Sequence, residues 1–475
     1  MLLNYLEYRS NLNFRSLCLL AGLFILVGCS QLPSIDEPAN LVVPEGELLE
    51  ESDFAISIGA RSGLITYLGN DGNVYVTDQA GSFQNAITTD ANATSFEPLS
   101  SAPEIKYYLL PTWSTSGRQL AYAQHYIRDE GGQNVAQLIP ASYTIQDDES
   151  QTRKSTFSIF SASSDGSGNQ ELWTGEERPI YMYWAPDGET LSAILQSPSA
   201  GALQFVVLDT TDQSVEILDV GAPLFWDWAP SGQQIMTHIG SLNGAERMGL
   251  LTLEEQVTEE VFDFDLAGFT SPDISPDGRM AVFPTRAEED SDDDTWVTVL
   301  EFETRNKKVI DRLDGDVFID ATFSPDSQKL AYVASKQTAG PAKGELAVYS
   351  LATGSLFVSQ EKSVVAFFWS PDGQKIAWFE RSNDQSNRYD LYVLDLNTEE
   401  SVLLMAGLQT TPQFNEVISF HNQYQRSATI WSPDSRTVVF PMFQGDSTKI
   451  MAMDASGKIK PREIGDGILS FWSAD

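Results

Sequence analysis

Apolar and polar residues alternate in short runs along most of the chain, and the clearest unit begins at residue 364. Residues 364–369 form an apolar run, and residues 375–379, 389–396 and 401–405 form three more runs after polar stretches. Such alternation over about 4–8 residues is typical of strands. Pro371-Asp372-Gly373 favours a turn, because Pro fixes φ, Asp caps backbone amides and Gly accepts positive φ. The pattern therefore predicts four consecutive strands.

A five-residue box marks the end of the first strand in each such unit. It is complete as Trp369-Ser-Pro-Asp-Gly373, degenerate at Trp113 and truncated at Trp472. Five of the seven intervals between successive boxes span 41–49 residues, and the other two carry insertions. A repeat of about 40–50 residues that contains only strand-like runs predicts a propeller blade of four strands. The other copies begin at Trp184, Trp228, Ile274, Phe323 and Trp431.

The two ends of the repeat array are incomplete in complementary ways. Residues 63–69, 73–78 and 83–88 are typical of second, third and fourth strands without a first, whereas residues 468–472 are typical of a first strand with nothing after it. Pairing the ends would remove two exposed sheet edges. We therefore predict an all-β, single β-propeller over residues 54–475, with eight four-stranded blades closed by the C-terminal strand. The alternative is seven blades, which would result if the degenerate first unit does not form a blade.

The box resembles that of TolB-like, WD-type propellers, and the resemblance covers nearly all of residues 55–475. It implies the propeller fold but no particular activity, since propellers host unrelated functions. Three serines depart from the pattern. Ser327 and Ser435 replace the box glycine, and Ser231 replaces the box aspartate.

The N-terminus carries the pattern of an export signal. Arg9 and Arg15 precede an apolar run over residues 17–28, which is shorter than the roughly 20 residues that span a bilayer. The run ends at Cys29 and resembles the lipobox of bacterial lipoproteins. This resemblance implies a signal peptide over 1–28, a lipidated Cys29 and a flexible tether to residue 53, on the extracytoplasmic face of a bacterial cell envelope. The alternative is an ordinary signal peptide with an incidental cysteine.

The net charge and the number of cysteines limit the partners and the kinds of site that this chain can have. The chain has 29 Lys and Arg against 67 Asp and Glu, for a net charge of −38, which disfavours nucleic acid as a partner because phosphate is repelled. Cys18 and Cys29 are the two cysteines, so the repeats contain neither disulfides nor thiolate sites. We expect no cofactor. The acidic run 288–294 offers calcium ligands, but it lacks the glycine and spacing of an EF-hand and favours a solvated loop.

By analogy with propellers, the longest connections share one face of the disc, which we predict to be the recognition face. These connections span residues 89–106, 124–155, 284–294, 335–344, 381–388 and 406–426. Aromatic side chains and hydrogen-bond donors within or beside them are typical anchors of interfaces. The alternative for the two histidines is that they satisfy loop backbone. The candidate contacts are His125, Tyr126, Arg178, His421, Tyr424 and Arg426.

Three functions remain open from the sequence. The first is a non-catalytic, membrane-anchored, monomeric propeller that binds a protein or peptide partner through this face. The second is a solute- or glycan-binding lipoprotein of a transport or sensing system. The third is a hydrolase with paired carboxylates in the channel. No Gly-x-Ser-x-Gly elbow occurs, and the nearest match fails at Lys449.

Overall fold

The computed structural model describes residues 63–94, 104–129, 153–198, 202–240, 246–254, 256–286, 294–335, 344–382 and 388–474. Over these ranges the protein is all-β apart from two short helices, and the strands pair antiparallel with their neighbours. The first three strands are β1 (Ile65–Gly69), β2 (Val74–Thr77) and β3 (Gln84–Ala86).

Four sheets have four strands each, and in each the spatial order follows the chain order. The first comprises β4 (Glu104–Trp113), β5 (Gln119–Asp129), β6 (Arg153–Ser163) and β7 (Gln170–Gly175). The second comprises β8 (Arg178–Trp184), β9 (Thr190–Gln196), β10 (Leu203–Asp209) and β11 (Val215–Gly221). The third comprises β12 (Leu224–Trp228), β13 (Gln234–Gly240), β14 (Glu246–Thr252) and β15 (Thr258–Phe262). The fourth comprises β16 (Asp273–Ile274), β17 (Met280–Arg286), β18 (Thr295–Glu301) and β19 (Lys307–Leu313).

A seven-stranded sheet joins two such units through one long strand, β23 (Ser355–Trp369). The beginning of β23 pairs with β22, where Ser355 lies opposite Ser350, and its end pairs with β24, where Trp369 lies opposite Ile376. The strand therefore serves as the fourth strand of one unit and the first strand of the next. The other strands of this sheet are β20 (Phe318–Phe323), β21 (Lys329–Ser335), β22 (Gly344–Ser350), β24 (Lys375–Arg381), β25 (Arg388–Asp395) and β26 (Glu400–Gln409).

A six-stranded sheet contains both ends of the described chain. Its strands are β27 (Thr437–Gln444), β28 (Ser447–Asp454) and β29 (Arg462–Trp472), followed by β1, β2 and β3. Arg462 on β29 lies opposite Ala452 on β28, and Trp472 lies opposite Ile65 on β1. The strands predicted at 468–472 and 63–69 are thus neighbours in one sheet.

The box residues build the turn that follows each first strand. In the copy at Ser370, the serine hydroxyl donates to the Asp372 carboxylate at 2.6 Å and accepts from the Lys375 amide at 2.9 Å. Gly373 adopts a φ of +64°, which glycine tolerates because it has no Cβ. The predicted turn chemistry of the box is therefore confirmed in this copy.

Box tryptophans connect one sheet to the preceding sheet. The Trp184 indole N–H donates to the Thr112 carbonyl at 3.1 Å, and the Trp431 indole donates to the Phe368 carbonyl at 3.0 Å. Burying a large indole between sheets adds apolar contact, and its N–H needs such a partner. The core consequently lies between adjacent sheets as well as within each of them.

The connection after β26 differs from the expectation of a long loop over 406–426. It contains α1 (Pro412–Ser419) and α2 (His421–Ser427). Thr411 caps α1 by accepting from the Phe414 amide, and Pro412 occupies a first-turn position where its missing N–H costs nothing. The buried residues of α1 are Phe414, Val417 and Ile418. Neither helix, within the part of the chain that the structure describes, has the length and apolar character needed to cross a membrane.

Candidate functional site

Residues 410–428, called the helical segment below, lie among the first strands of different sheets. The Thr411 hydroxyl donates to the Ile468 carbonyl of β29 at 2.5 Å. The Thr112 hydroxyl of β4 donates to the Ser427 carbonyl at 3.1 Å, and the Tyr181 hydroxyl of β8 donates to the Ser427 hydroxyl at 2.7 Å. One short segment is therefore bonded to strands distant from it in sequence.

Arg426 makes the strongest of these contacts, because it is an ion pair with a buried carboxylate. Its guanidinium donates to both oxygens of Asp273 on β16, at 3.1 and 3.0 Å, and to the Phe323 carbonyl on β20 at 3.2 Å. Asp273 is 3 % exposed and also accepts from the Phe323 amide at 2.7 Å. Two hydrogen bonds from one guanidinium to both oxygens of a carboxylate strengthen the ion pair and fix the relative orientation of the two groups.

Asp227 on β12 is a second buried carboxyl group beside this ion pair. It accepts from the Ile274 amide at 2.7 Å and from the Tyr183 hydroxyl at 3.3 Å. Burial raises the pKa of Asp227, and the nearby Asp273 carboxylate raises it further, while Arg426 acts in the opposite sense.

Asp320 on β20 is a third buried carboxyl group, and its partners are neutral. It accepts from the Asn422 side-chain amide of the helical segment at 2.7 Å, and the Thr270 hydroxyl lies at 3.4 Å. Burial raises the pKa of Asp320 to about 7, because an ionised carboxylate is disfavoured away from water.

The outer side of the helical segment combines an exposed aromatic ring with charged groups. Phe420, between α1 and α2, is 37 % exposed and lies 6.4 Å from the Phe225 ring, centroid to centroid. Glu416 on α1 is exposed, and Arg178, also exposed, interacts with it electrostatically. We call Phe225, Phe420, Glu416 and Arg178 the mouth residues.

His125 forms part of a hydrogen-bonded chain within its sheet. Its Nδ1 lies 2.7 Å from the Tyr107 hydroxyl, its Nε2 lies 2.7 Å from the Ser155 hydroxyl, and its ring stacks on Phe157 at 4.1 Å. Burial lowers the pKa of His125 to about 3, and the charge of Arg178 lowers it further, so the ring is neutral. Tyr126, the next residue, is half-buried, with the Lys106 ammonium 5.6 Å from its ring centroid.

The predicted contact residues differ in exposure. Arg178 is exposed and His421 is fully buried, while the others are half-buried: His125, Tyr126, Tyr424 and Arg426. The expectation of a loop throughout 406–426 is wrong, because helices pack His421, Tyr424 and Arg426 against the first strands. Their role toward a partner stays a prediction. Cys29, residues 288–293 and most of the other predicted long connections lie outside the described residues.

The three buried carboxyl groups are not among the residues predicted from the sequence. Asp227 and Asp273 each stand immediately before the first box residue, a position that points from a first strand toward the neighbouring sheet. A polar residue at that recurring position was the available signal. Among the described residues, no group of three or more His, Cys, Asp or Glu side chains is arranged to hold a metal ion.

Comparison with known proteins finds solved structures that are similar to this chain, but it does not assign the chain to a family. No protein-family model matches the chain, and no curated protein matches it. TolB from Acinetobacter baumannii is 12 % identical, with 98 % of this chain and 94 % of that chain covered and a TM-score of 0.36. The β-propeller domain of the trilobed protease from Pyrococcus furiosus is 11 % identical, with 76 % and 96 % covered and a TM-score of 0.45. The β-propeller domain of Cps50 from Myceliophteria thermophila is 10 % identical, with 77 % and 99 % covered and a TM-score of 0.40.

The similar solved structures thus include TolB and other β-propeller proteins. At these low identities and scores the likenesses carry no argument about ligand or activity. The description of the fold rests on the strand pairing itself.

Proposed function

We propose that this chain is a non-catalytic, lipid-anchored extracytoplasmic propeller that binds a protein or peptide partner at its mouth residues. The observation that carries the proposal is the exposed Phe420 ring, which lies beside Phe225 and close to the charged pair Arg178 and Glu416. An aromatic anchor next to charged groups is typical of binding hot spots. The anchor is Cys29, the tether runs to residue 53, and the propeller spans 54–475.

Eight blades, closed head to tail, fit the strand pairing best. The four separate sheets count as four blades, the seven-stranded sheet as two, and the six-stranded sheet as two that share β29. Two contacts support closure: the Trp472 amide donates to the Thr429 carbonyl at 2.9 Å, and the Trp113 indole donates to the Phe471 carbonyl at 3.3 Å. The end of β29, which forms the first strand of the closing blade, is thereby joined to the blade before it and to the blade after it.

The helical segment favours binding over catalysis in the channel. A glycosidase needs two carboxyl groups open to a sugar and to water. Here Asp227, Asp273 and Asp320 are each at most 4 % exposed, and each is bonded to protein groups. The outer side of the helical segment, where the mouth residues lie, offers an accessible surface for a ligand instead.

A photo-crosslinking experiment in the native envelope tests the proposal. A photoreactive amino acid replaces Phe420 in one variant and Phe357 in the control variant. Phe357, at 39 % exposure, matches Phe420 in type and accessibility but lies at the start of β23. We expect a discrete adduct with one envelope protein or peptide from position 420, and none from position 357. Equal adducts from both positions, or none from position 420, would exclude the mouth as the binding face.

A second arm tests the anchor and the neighbouring charge. Cys29→Ser should release the protein from the membrane fraction without changing its thermal unfolding, because the lipid would be attached to that sulfur. Arg178→Ala should weaken the adduct at position 420 if the partner contacts the mouth as a whole. Retention of Cys29→Ser in the membrane would contradict the lipid anchor, whatever the crosslinking result.

A further inference from the structure

More carboxyl groups than cationic groups are buried where the helical segment contacts the first strands. Asp227, Asp273 and Asp320 are three carboxyl groups at this contact, and Arg426 is the one guanidinium that reaches them from the helical segment. Arg426 donates to Asp273 and to the Phe323 carbonyl. One ion pair is therefore complete, and the donors to the other two carboxyl groups, within the part of the chain that the structure describes, are neutral.

Burying an ionised carboxylate without a cation costs free energy, so such a group tends to keep its proton and stay neutral. Among the described residues, Asp320 accepts from the Asn422 amide and the Thr270 hydroxyl, both neutral. Asp227 has the Ile274 amide and the Tyr183 hydroxyl. If the helical segment withdrew, water would reach both carboxyl groups, and the ionised forms would become favourable. Ionisation and seating of the segment therefore oppose each other.

We propose that the seating of residues 410–428 against the first strands is coupled to proton occupancy at Asp227 and Asp320, so that the segment loosens as these two groups ionise. The proposal goes beyond the binding function and does not depend on it. The direction follows from linkage, since the state that binds more protons is favoured at lower pH. Because burial raises the pKa of both groups, we expect the seated state to lose stability as pH rises through the range up to about 7.

Part of the contact between the segment and the strands is unfavourable, which assists such coupling. Two isolated helices of eight and seven residues are not stable by themselves. His421 is fully buried; the Ile418 backbone interacts with its ring, but neither ring nitrogen makes a hydrogen bond of regular geometry among the described residues. The Gln423 side-chain Nε2 is likewise buried and unpaired within those residues. Withdrawal would return these groups to water and recover the cost of leaving them unpaired.

Other titratable groups at this contact set the pH window of the test. Burial lowers the pKa of His421 to about 3, so protonation of His421 favours withdrawal below its ordinary value of about 6.5. This effect opposes that of the carboxyl groups in acid but vanishes above pH 6.5. Burial raises the pKa of the Tyr181, Tyr183 and Tyr424 hydroxyls and lowers the pKa of His238, behind Thr270, to about 4, so these four groups are uncharged at pH 7. The fifth group is Glu416 on the outer side, whose pKa burial raises and the charge of Arg178 lowers.

Hydrogen exchange measured by mass spectrometry on the wild-type protein gives the primary test. Protection factors, corrected for the intrinsic exchange rate at each pH, are compared at pH 6.5, 7.5 and 8.5 for peptides covering 412–427. We expect protection there to fall several-fold over this range, while peptides covering β9 stay constant. β9 is an internal, mostly buried strand of its sheet, and it provides the reference for protection that does not depend on the segment.

Two variants assign the effect to the proposed groups. Asp320→Asn and Asp227→Asn each remove one ionisable group while keeping an acceptor oxygen, so each should flatten part of the pH dependence. Asp446→Asn is the control, because Asp446 is exposed in the turn between β27 and β28. It should leave the pH dependence as steep as in the wild type.

Constant protection of 412–427 in the wild type overturns the proposal, and this outcome needs no variant. A wild-type fall in protection that persists unchanged in both aspartate variants also overturns it. If one aspartate variant does not fold, the other variant and the wild-type series still decide. Failure of the crosslinking experiment at position 420 leaves these exchange data unaffected, so the two proposals fail independently.

Discussion

Leu64 and Ser473 are joined by two hydrogen bonds, although they lie at opposite ends of the described chain. The Leu64 amide donates to the Ser473 hydroxyl at 2.8 Å, and the Ser473 amide donates to the Leu64 carbonyl at 2.7 Å. The pairing continues from Ile65 opposite Trp472 to Gly69 opposite Gly467. The tail of the chain thus supplies the strand that covers one edge of β1.

Removal of residues 467–475 should therefore abolish the cooperative fold. The truncation would expose the backbone edge of β1 and delete Trp472, which is 1 % exposed. An unpaired edge is prone to intermolecular pairing. We expect loss of a sharp thermal transition and elution as aggregate in size-exclusion chromatography.

The control for this truncation removes only residues 474–475, beyond the bonded Ser473. That shorter deletion should leave both the thermal transition and the monomer peak in place. A wild-type transition temperature for the longer deletion would contradict the structural role of the tail.

The strands were largely predictable because their determinants are local. Turn chemistry at residues 371–373 and the alternation that follows need no distant contact, and the structure has β24 at Lys375–Arg381, where a strand was predicted. β23 is longer than predicted: the strand expected at 364–369 continues backward to Ser355 and joins two units. Which strand of a repeat continues into the next unit depends on pairing across the sheet, which the run of apolar residues does not encode.

The helical segment was not predicted as helix, although a local signal existed. Thr411 followed by Pro412 is a helix-start pattern, and Phe414, Val417 and Ile418 have helical spacing. The polar character of residues 421–427 favoured a loop instead. Their burial depends on carboxyl groups contributed by three separate units, so it could not be found from the segment alone.

Arg426→Leu should destabilise the protein by about 3–5 kcal/mol, the cost of leaving a buried charge without its partner. The reason is that Asp273, 3 % exposed, would lose its only bonded cation among the described residues. Urea unfolding followed by tryptophan fluorescence measures the change. Arg279→Leu is the matched control, because Arg279 is 82 % exposed and lies 3.9 Å from Asp277; it should have little effect.

A double variant separates charge from packing in this prediction. Arg426→Leu combined with Asp273→Asn removes the unpaired charge, so it should be less destabilised than the sum of the two single variants. Strict additivity of the two changes would show that the ion pair does not account for the loss.

Ser327 should tolerate glycine better than alanine. It stands at the box glycine position with a φ of +57°, and its hydroxyl accepts from the Asp277 amide of the preceding sheet at 3.0 Å. Ser327→Ala loses the hydrogen bond and keeps the left-handed backbone. Ser327→Gly loses the same bond but relaxes the backbone, which favours glycine by about 1 kcal/mol.

The free energies of unfolding of the two variants, from urea titrations, check this prediction. We expect Ser327→Gly to be close to the wild type and Ser327→Ala to be about 1 kcal/mol less stable than Ser327→Gly. Ser435, with a φ of +58° and an equivalent bond from the Asp372 amide, should repeat the pattern. Equal stabilities of the glycine and alanine variants at both positions would contradict the backbone argument.

His421→Leu should stabilise the protein, and more so in acid. At pH 8 the change removes a buried ring that interacts with the Ile418 backbone but makes no hydrogen bond of regular geometry among the described residues, which favours the variant by about 1 kcal/mol. Burial holds the pKa of His421 near 3, whereas the unfolded chain titrates near its ordinary value. The free energy of unfolding of the wild type is therefore not reduced by this group above pH 6.5. It falls as pH decreases from 6.5 toward 3, because the unfolded chain binds a proton that the folded chain does not. The advantage of the variant should grow by about 2 kcal/mol between pH 8 and pH 5.

His125→Leu provides the control, because burial lowers the pKa of His125 to about 3 in the same way but its ring nitrogens are bonded. Leucine at position 125 would leave the Tyr107 and Ser155 hydroxyls without that partner, so this variant should be destabilised at pH 8. Urea titrations at pH 8 and pH 5 distinguish the two histidines by the sign of the change at pH 8. Destabilisation of His421→Leu at both pH values would show that the buried ring makes a favourable contact that outweighs its unpaired nitrogens.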